Sequence, residues 1–232
     1  AQSECCNGVP FANYWIHNGY INVDNQKMSK SLNNFFTVRD VAEKYGYEPI
    51  RYLMIASHYR SPINYSVDII EQCKSALDRL YTCRDNLEFK KLNALADKAD
   101  EDNKVIDSLS KYKDRFITAM DDDLNTADAL SVIIDLVKDI NINIISSSNS
   151  SKQVIEFALK IFNELTSVLG LLYRNTQKSS IDDKVKELIE KREKARKEKD
   201  WATADAIRDE LKSMNVVLED TPQGIKWTVV SK

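Results

Sequence analysis

Glycine and proline are scarce in this chain, with 5 Gly and 4 Pro among 232 residues. Both residue types interrupt helices and build tight turns, so their scarcity favours long helices over a many-stranded sandwich. No apolar run approaches the ~18 residues that a membrane span needs, and no secretory signal is visible. We therefore expect a cytoplasmic protein with no membrane partner. The chain starts at Ala1 without an initiator Met, which predicts either processing or a piece of a longer protein.

Cysteine is also sparse, and its spacing fits no metal site. The four cysteines are an adjacent pair, Cys5 and Cys6, and two residues ten positions apart, Cys73 and Cys83. On a helix, ten residues place Cys73 and Cys83 on different faces and about 15 Å apart. The acidic run at 121–123 is interpreted as a polar turn, because no further ligand cluster accompanies it. We therefore predict reduced thiols and no metal ligands in this chain.

A strong charge of either sign is missing. Lys and Arg total 33 and Asp and Glu total 36, for a net charge of −3, whereas domains that bind nucleic acids are usually basic. The charge is unevenly spread: residues 1–66 carry +1, residues 67–181 carry −4, and residues 182–232 are neutral. The acidity belongs to the middle of the chain, so the overall figure does not exclude RNA binding by its two ends.

The first third of the sequence combines short strands with short helices. In residues 1–36, two aromatic and β-branched runs flank Asn18-Gly19, a hairpin-like turn signal, and Asp24-Asn25 marks another turn. Residues 37–66 form a connecting segment, and the pattern of polar residues predicts that its first helix starts at Thr37.

The rest of the chain is dominated by the 3.6-residue period of helices. Residues 67–175 carry four apolar stripes with short connections, which predicts an antiparallel bundle with helix starts at Ser66 and Asn125. After a polar linker, residues 182–232 contain two helices and then two short strands around a turn at 221–224. The sequence thus predicts a mainly α protein with a small C-terminal α+β unit.

A basic loop, Lys27-Met28-Ser29-Lys30-Ser31 or KMSKS, carries the sharpest chemical signal. Two lysines three residues apart can place two ammonium groups on one polyphosphate, since lysine is a flexible point-charge donor to phosphate. Such charges stabilise the negative charge that develops as pyrophosphate leaves. The alternative interpretation is a solvated basic turn without chemistry.

KMSKS is the signature loop of class I aminoacyl-tRNA synthetases, and three stretches of this chain resemble cysteinyl-tRNA synthetases closely. They are NYWIHNGYINVDNQKMSKSLNNFFTVRD (13–40), IRYLMIASHYRSPINYS (50–66), and KDWATADAIRDEL with LEDTPQGIKW (199–227). The resemblance implies that residues 1–36, 37–66, 67–175 and 182–232 are four successive parts of such an enzyme. These are the end of a class I catalytic domain with the KMSKS loop, a tRNA stem-contact segment, a DALR-type antiparallel helical bundle, and a C-terminal anticodon-binding domain.

The implied activity is that of a cysteine–tRNA ligase. This family uses ATP with Mg²⁺ to convert the cysteine carboxylate to an adenylate, and then transfers the acyl group to the 3′ end of the tRNA for cysteine. By this resemblance Lys27 and Lys30 are the catalytic lysines, and Lys30 also contacts ATP. Met28 and Ser29 shape the ATP-binding loop. One departure is Asn33, where the family usually has Gly; because Asn tolerates a left-handed backbone, the turn can be kept.

The same resemblance implies parts that this chain does not carry. The family's nucleotide-binding half, with its His-Ile-Gly-His-like motif, and the Zn²⁺ site for the cysteine thiolate precede the segment similar to 1–4. Cys5 and Cys6 match no position of a zinc ligand. We therefore expect the Zn²⁺ ligands upstream, and we expect the 232-residue chain alone to be unable to activate cysteine. A monomer is expected.

The C-terminal segment contains a candidate anticodon-reading set: Arg196, Trp201, Asp205 and Asp220. RNA loop bases are read by stacking on aromatic rings and by hydrogen bonds to their edges. Trp201 can stack and Arg196 can donate two hydrogen bonds, while Asp205 or Asp220 can accept from guanine. The resemblance supports these roles, because the family reads the anticodon with this segment. The alternative places Trp201 and Trp227 in the core of a small domain and pairs Arg196 with a carboxylate.

Other basic residues are candidate contacts to tRNA phosphates, namely Arg39, Lys44, Arg51 and Arg60. Two further functions stay open beside the ligase. One is a stand-alone RNA-binding module with a vestigial KMSKS loop. The other is the related enzyme that couples cysteine to an amino-sugar inositol; that relative lacks the anticodon-type tail that residues 201–227 resemble.

Overall fold

The computed structural model describes residues 1–32, 34, 36–92, 94, 99–147, 150–174, 180–197, 200–214, 216–221 and 224–229. They form two compact units, one made of residues 1–87 with 95–172 and the other of residues 88–94 with 173–232. Helices predominate in the described part of the chain, which confirms the prediction of a mainly α protein.

The larger unit begins with a short helix and a small sheet. Helix α1 spans Gln2–Asn7, and strands β1, β2 and β3 span Ile21–Val23, Gln26–Lys27 and Ile63–Tyr65. The strand order is β2-β1-β3, with β1 antiparallel to β2 and parallel to β3. The hairpin of β1 and β2 is therefore tied to a segment about 40 residues further along the chain.

The hairpin turn lies at Asp24-Asn25, where the sequence predicts a turn, and the hairpin predicted around Asn18-Gly19 is wrong. Asp24 and Asn25 have φ angles of 49° and 64°, the left-handed pair that a two-residue type I′ loop requires. The Gly19 N–H instead donates to the carbonyl of Tyr59 at 2.7 Å. At this position glycine permits the close approach of two distant segments, and it does not reverse the chain.

Two helices follow the sheet hairpin: α2 over Val38–Tyr45 and α3 over Tyr47–Ile55. The predicted start at Thr37 is confirmed by a capping box. The Thr37 N–H donates to Asp40 Oδ2 at 2.7 Å, and the Asp40 N–H donates to Thr37 Oγ1 at 3.2 Å. The hydrogen bond from the Thr37 backbone is the main reason that the pKa of Asp40 is lowered.

The remainder of the larger unit is a helical bundle. Helices α4, α5, α6 and α7 span Val67–Leu92, Ala99–Asp121, Thr126–Asp139 and Lys152–Val168, and a π-helical turn, Ile140–Ile145, continues α6. Helix α5 packs against both α6 and α7. The fully buried side chains of the bundle include Ile70, Leu77, Ile133, Ile155 and Phe162.

Polar caps fix where two of these helices begin. Ser66 Oγ accepts from the N–H of Ile69 at 3.2 Å, at the start of α4. Asn125 Oδ1 accepts from the N–H of Asp128 at 3.1 Å, at the start of α6. Each cap satisfies a backbone donor that the first helical turn leaves without a partner, and both predicted helix starts are confirmed.

The cysteines are free thiols in two different environments. Cys5 and Cys6 are exposed on α1, whereas Cys73 and Cys83 are buried in α4. Burial raises the pKa of Cys73 to about 11 and that of Cys83 to about 12. The two buried thiols are therefore protonated at neutral pH.

A buried carboxylate connects three parts of the larger unit. Glu48 in α3 is 1% exposed. Its Oε2 accepts from the hydroxyl of Tyr81 in α4 at 2.8 Å, and its Oε1 accepts from the N–H of Leu172 after α7 at 2.6 Å. Arg84 Nη1 donates to the carbonyl of Leu172 at 3.1 Å. Residues distant in sequence are thus held together by hydrogen bonds inside the protein.

The smaller unit is an α+β structure, as predicted. Helices α8 and α9 span Ser180–Lys197 and Trp201–Ser213, and strands β4 and β5, Val216–Thr221 and Gly224–Val229, pair antiparallel. Val185, Leu188, Ile207, Leu211 and Val216 form its core. Most of the predicted linker, and the side chain of Trp227 that was assigned to a core, lie outside the described part of the chain.

Among the described residues, no helix combines the length and the apolar composition needed to cross a bilayer.

Candidate functional site

The KMSKS loop occupies the free end of the β1–β2 hairpin. Lys27 ends β2 and is exposed, Met28 and Ser29 are half-buried, and Lys30–Leu32 form a single 3₁₀ turn. Ser29 Oγ accepts from the N–H of Leu32 at 3.3 Å, which caps this turn. The side chain of Lys30 and the whole of Asn33 lie outside the described residues.

Asn34 clamps the two sides of this loop. Its Oδ1 accepts from the N–H of Ser29 at 2.8 Å, and its Nδ2 donates to the carbonyl of Lys27 at 3.2 Å. One side-chain amide thereby holds the backbone on both sides of Met28. The sequence interpretation did not single out Asn34, because the motif ends before it.

The opposite end of the hairpin is held by a second asparagine. Asn64 in β3 accepts, through Oδ1, a hydrogen bond of 2.8 Å from the N–H of Asn25 in the turn. The backbone N–H of Asp24 donates to the carbonyl of Tyr65 at 3.0 Å. The hairpin that carries the lysines is therefore anchored at its turn to β3, while its free end is organised by Asn34.

Arg60 belongs to a polar cluster in the larger unit. Asp123 Oδ2 lies 3.0 Å from Arg60 Nη2 and 3.6 Å from His58 Nε2, and Asp123 Oδ1 accepts from the Tyr59 hydroxyl at 2.9 Å. The pKa of Arg60 is raised mainly by its hydrogen bond to Tyr59. Asp123 lies in the turn after α5 with φ 54°, so the polar turn predicted there also orients a candidate phosphate contact.

The other candidate phosphate contacts are exposed and do not form one cluster with Arg60. Lys44 Nζ lies 4.9 Å from the ring centroid of Tyr45, and the interaction with the Tyr45 side chain is the main reason that the pKa of Lys44 is raised. Arg51 lies close to Gly170, since a Cβ atom added to Gly170 would lie 2.9 Å from Nη1 of Arg51. Arg39 is exposed near the start of α2.

The predicted anticodon residues lie in the smaller unit. Arg196 is exposed near the end of α8, and Trp201, 60% exposed, begins α9. The alternative that buries Trp201 in a core is therefore wrong. Asp205 is exposed one helical turn after Trp201. Asp220 lies in β4 opposite Ile225, and its side chain is outside the described part.

Local hydrogen bonds explain why α9 begins at Trp201. Asp200 Oδ1 accepts from the N–H of Thr203 at 3.1 Å, and Oδ2 accepts from the Thr203 hydroxyl at 2.6 Å. Both hydrogen bonds lower the pKa of Asp200, and the one from the Thr203 hydroxyl has the larger effect. The cap places Trp201 at the first position of the helix, with its ring available to solvent.

Asp205 also lines an open groove of about 640 Å³ between α9 and β4. The other lining residues are Arg208, Asp209, Lys212, Val216 and Leu218. The groove combines two acidic side chains, which accept hydrogen bonds, with two basic side chains, which donate them, and two apolar side chains. Such a surface can accept hydrogen bonds from, and donate them to, the edge of a nucleobase.

A site for the Zn²⁺ that the resemblance implies would need several ligands close together. Within the described ranges, no group of three or more His, Cys, Asp or Glu side chains could hold a metal ion. The described residues of this chain therefore do not fit Zn²⁺.

Three family models match successive parts of the chain. The model for the tRNA synthetases class I (C) catalytic domain matches residues 1–75, the DALR domain model matches 115–173, and the model for the cysteinyl-tRNA ligase anticodon binding domain matches 178–227.

Among solved structures, the chain is similar to the agnB2 LeuRS of Agrobacterium radiobacter K84, solved as a ternary complex with tRNA and LeuAMS. The TM-score is 0.50 at 20% sequence identity, and the match covers 67% of this chain. At this identity the likeness concerns the fold. The chain spans 22% of the length of that synthetase.

Proposed function

This chain belongs to the cysteinyl-tRNA synthetase family, and from this premise we propose that its protein is a cysteine–tRNA ligase. In this proposal the chain supplies the ATP loop and the tRNA-binding parts. The observation that carries the proposal is the KMSKS loop. It lies at the free end of an anchored hairpin, within the residues that match a class I (C) catalytic domain.

The loop lysines act on ATP in the first of two steps. The carboxylate of cysteine attacks the α-phosphorus of ATP, the bond to the β-phosphate oxygen breaks, and pyrophosphate leaves with the electron pair. The exposed ammonium of Lys27, together with Lys30, stabilises the charge that develops on the leaving phosphates. In the second step a hydroxyl at the tRNA 3′ end attacks the adenylate carbonyl, and AMP leaves.

The tRNA is held in this proposal by both units. Arg60, oriented by Asp123, contacts a phosphate near the catalytic segment. Exposed Trp201 stacks on an anticodon base, and Asp205, with Arg196 or Asp220, bonds to base edges. We further propose that cysteine is the amino acid, that the protein is a cytoplasmic monomer, and that Mg²⁺ accompanies ATP. The Zn²⁺ ligands would be supplied outside the described residues.

Two preparations test the proposed function: the 232-residue chain alone, and the chain with the nucleotide-binding half of a cysteinyl enzyme added. We expect both to bind the tRNA for cysteine. We expect cysteine-dependent exchange between ATP and pyrophosphate in the second preparation only. Exchange by the chain alone would refute the inactivity that we propose for it. tRNA binding with no exchange in either preparation would favour the stand-alone RNA-binding module.

Replacing Arg196 by Ala should weaken binding of the tRNA for cysteine by about 1–3 kcal/mol, the cost of one lost base contact. The affinity is measured by titrating labelled tRNA at fixed salt concentration, because phosphate contacts make affinity depend on salt.

The matched control is Lys194→Ala, which removes an exposed charge from the same helix. It should weaken binding of cognate and anticodon-altered tRNAs equally. If Arg196→Ala binds both tRNAs as the wild type does and keeps its far-UV circular dichroism, its assignment to the anticodon is wrong.

A further inference from the structure

The backbone of the KMSKS loop depends on one side chain that is not part of the motif. Asn34 is half-buried, and its amide group accepts from the Ser29 N–H at 2.8 Å and donates to the Lys27 carbonyl at 3.2 Å. Of the side chains in the described part of the chain, those bonding to the loop backbone are Asn34 and Ser29 itself. Ser29 is also the residue whose hydroxyl caps the 3₁₀ turn that begins at Lys30.

The two bonds of Asn34 have different consequences. The bond to the Lys27 carbonyl fixes the peptide group from which the Lys27 side chain leaves the end of β2. The hydrogen bond to the Ser29 N–H fixes the position of Ser29, which caps the 3₁₀ turn. It therefore fixes the direction in which the backbone enters that turn at Lys30. One amide therefore sets the relative placement of the backbone at both lysines, and a side chain with only a donor or only an acceptor cannot do both.

We propose that Asn34 is a positioning residue for the ATP step: it holds Lys27 and Ser29 in register so that the two loop lysines meet one polyphosphate together. This inference rests on the proposed function. Catalysis by oriented charges loses rate steeply when a charged group is misplaced by about 1 Å, because the group then no longer meets the developing charge. Asn34 itself touches no reacting atom in this proposal.

A first experiment tests the clamp without requiring any activity. Amide hydrogen exchange is measured residue by residue by NMR on the 232-residue chain. In Asn34→Ala the Ser29 amide should exchange about tenfold faster or more, because it loses its acceptor. In Asn34→Asp the acceptor oxygen is kept, so the Ser29 amide should stay protected.

Asn64→Ala is the matched control, since Asn64 is an asparagine that bonds to the same hairpin at its other end. Its replacement should speed exchange of the Asn25 amide and leave that of Ser29 unchanged. If Ser29 exchanges at the wild-type rate in Asn34→Ala, the clamp does not exist in solution and the inference is overturned.

A second experiment tests positioning in the preparation where the wild-type chain supports exchange between ATP and pyrophosphate. Asn34→Ala should lower kcat on the order of ten- to a hundredfold while leaving the KM for cysteine unchanged. Asn64→Ala should stay within about twofold of the wild type. A role limited to hairpin stability would instead make the two variants equally active once both are shown to be folded.

The outcomes distinguish failure of the positioning role of Asn34 from failure of the proposed function. Full activity of Asn34→Ala beside an active wild type overturns the positioning role. Equal loss in Asn34→Ala and Asn64→Ala also overturns it, in favour of a general effect on the hairpin. If the wild type catalyses no exchange between ATP and pyrophosphate even in the preparation with the added nucleotide-binding half, the proposed function fails, and amide hydrogen exchange alone then decides whether the clamp exists.

Discussion

Replacing Glu48 by Ala should lower the free energy of unfolding of the larger unit by about 3–5 kcal/mol. The carboxylate is buried and accepts from the Tyr81 hydroxyl and the Leu172 N–H. Without it, the buried Leu172 N–H and the half-buried Tyr81 hydroxyl lose this acceptor, and such a loss costs about 1–3 kcal/mol for a buried donor. The space left by the side chain adds a further cost.

Urea unfolding followed by far-UV circular dichroism measures this effect as a shift of the midpoint. Glu48→Gln keeps one carbonyl acceptor and should lose about half as much. Glu43→Ala, on the exposed face of α2, is the matched control and should change stability by no more than about 0.5 kcal/mol. A Glu48→Ala midpoint equal to that of the control would show that the buried hydrogen bonds contribute nothing net.

Replacing Gly19 by Ala should also have a large effect, because the backbone of a distant segment occupies the space of the new methyl group. A Cβ at Gly19 would lie 2.3 Å from the Ser61 carbonyl oxygen and 2.5 Å from its carbon. Those atoms belong to the backbone, so the two segments must separate. Overpacking of this kind costs about 1–3 kcal/mol, and occasionally more.

The separation also breaks the hydrogen bond from Gly19 to Tyr59 and strains the bond from the Ile63 N–H to the Tyr20 carbonyl.

The matched control for this variant is Gly8→Ala. Gly8 has φ 66° but nothing within 4 Å of a built Cβ, so it should lose only about 1 kcal/mol from backbone strain. The measurement is thermal unfolding of both variants side by side. A Gly19→Ala transition at or above that of Gly8→Ala would contradict the steric argument.

Local features of this fold could be predicted from the sequence because their partners are close in the chain. Thr37 with Asp40, Ser66 with Ile69, and similar caps act over three residues, and a three-residue pattern is visible in a sequence. The turn at Asp24-Asn25 is likewise visible in the sequence, whereas the hairpin expected around Asn18-Gly19 is wrong although Asn-Gly is a strong turn signal. What decides the role of Gly19 is the backbone near Tyr59 and Ser61, 40 residues away, which no local pattern contains.

The candidate site also contains some residues that could be predicted from the sequence and others that could not. The lysines of the KMSKS loop were found because the motif is contiguous and its chemistry is specific. Asn34 and Asp123 were missed as positioning groups because their importance depends on which backbone or side chain they meet after folding. The sequence offers no signal that singles out Asn34, since Asn33 is also an asparagine between the motif and the cap at Thr37.

The contrast between the two pairs of thiols makes this chain convenient for spectroscopy. Maleimides react with thiolates that solvent can reach, and Cys73 and Cys83 are both buried and protonated at neutral pH. A fluorophore or spin label should therefore attach only to α1, at Cys5 or Cys6, with no cysteine removed from the core. Cys6→Ser would leave Cys5 as a single attachment point on the N-terminal helix.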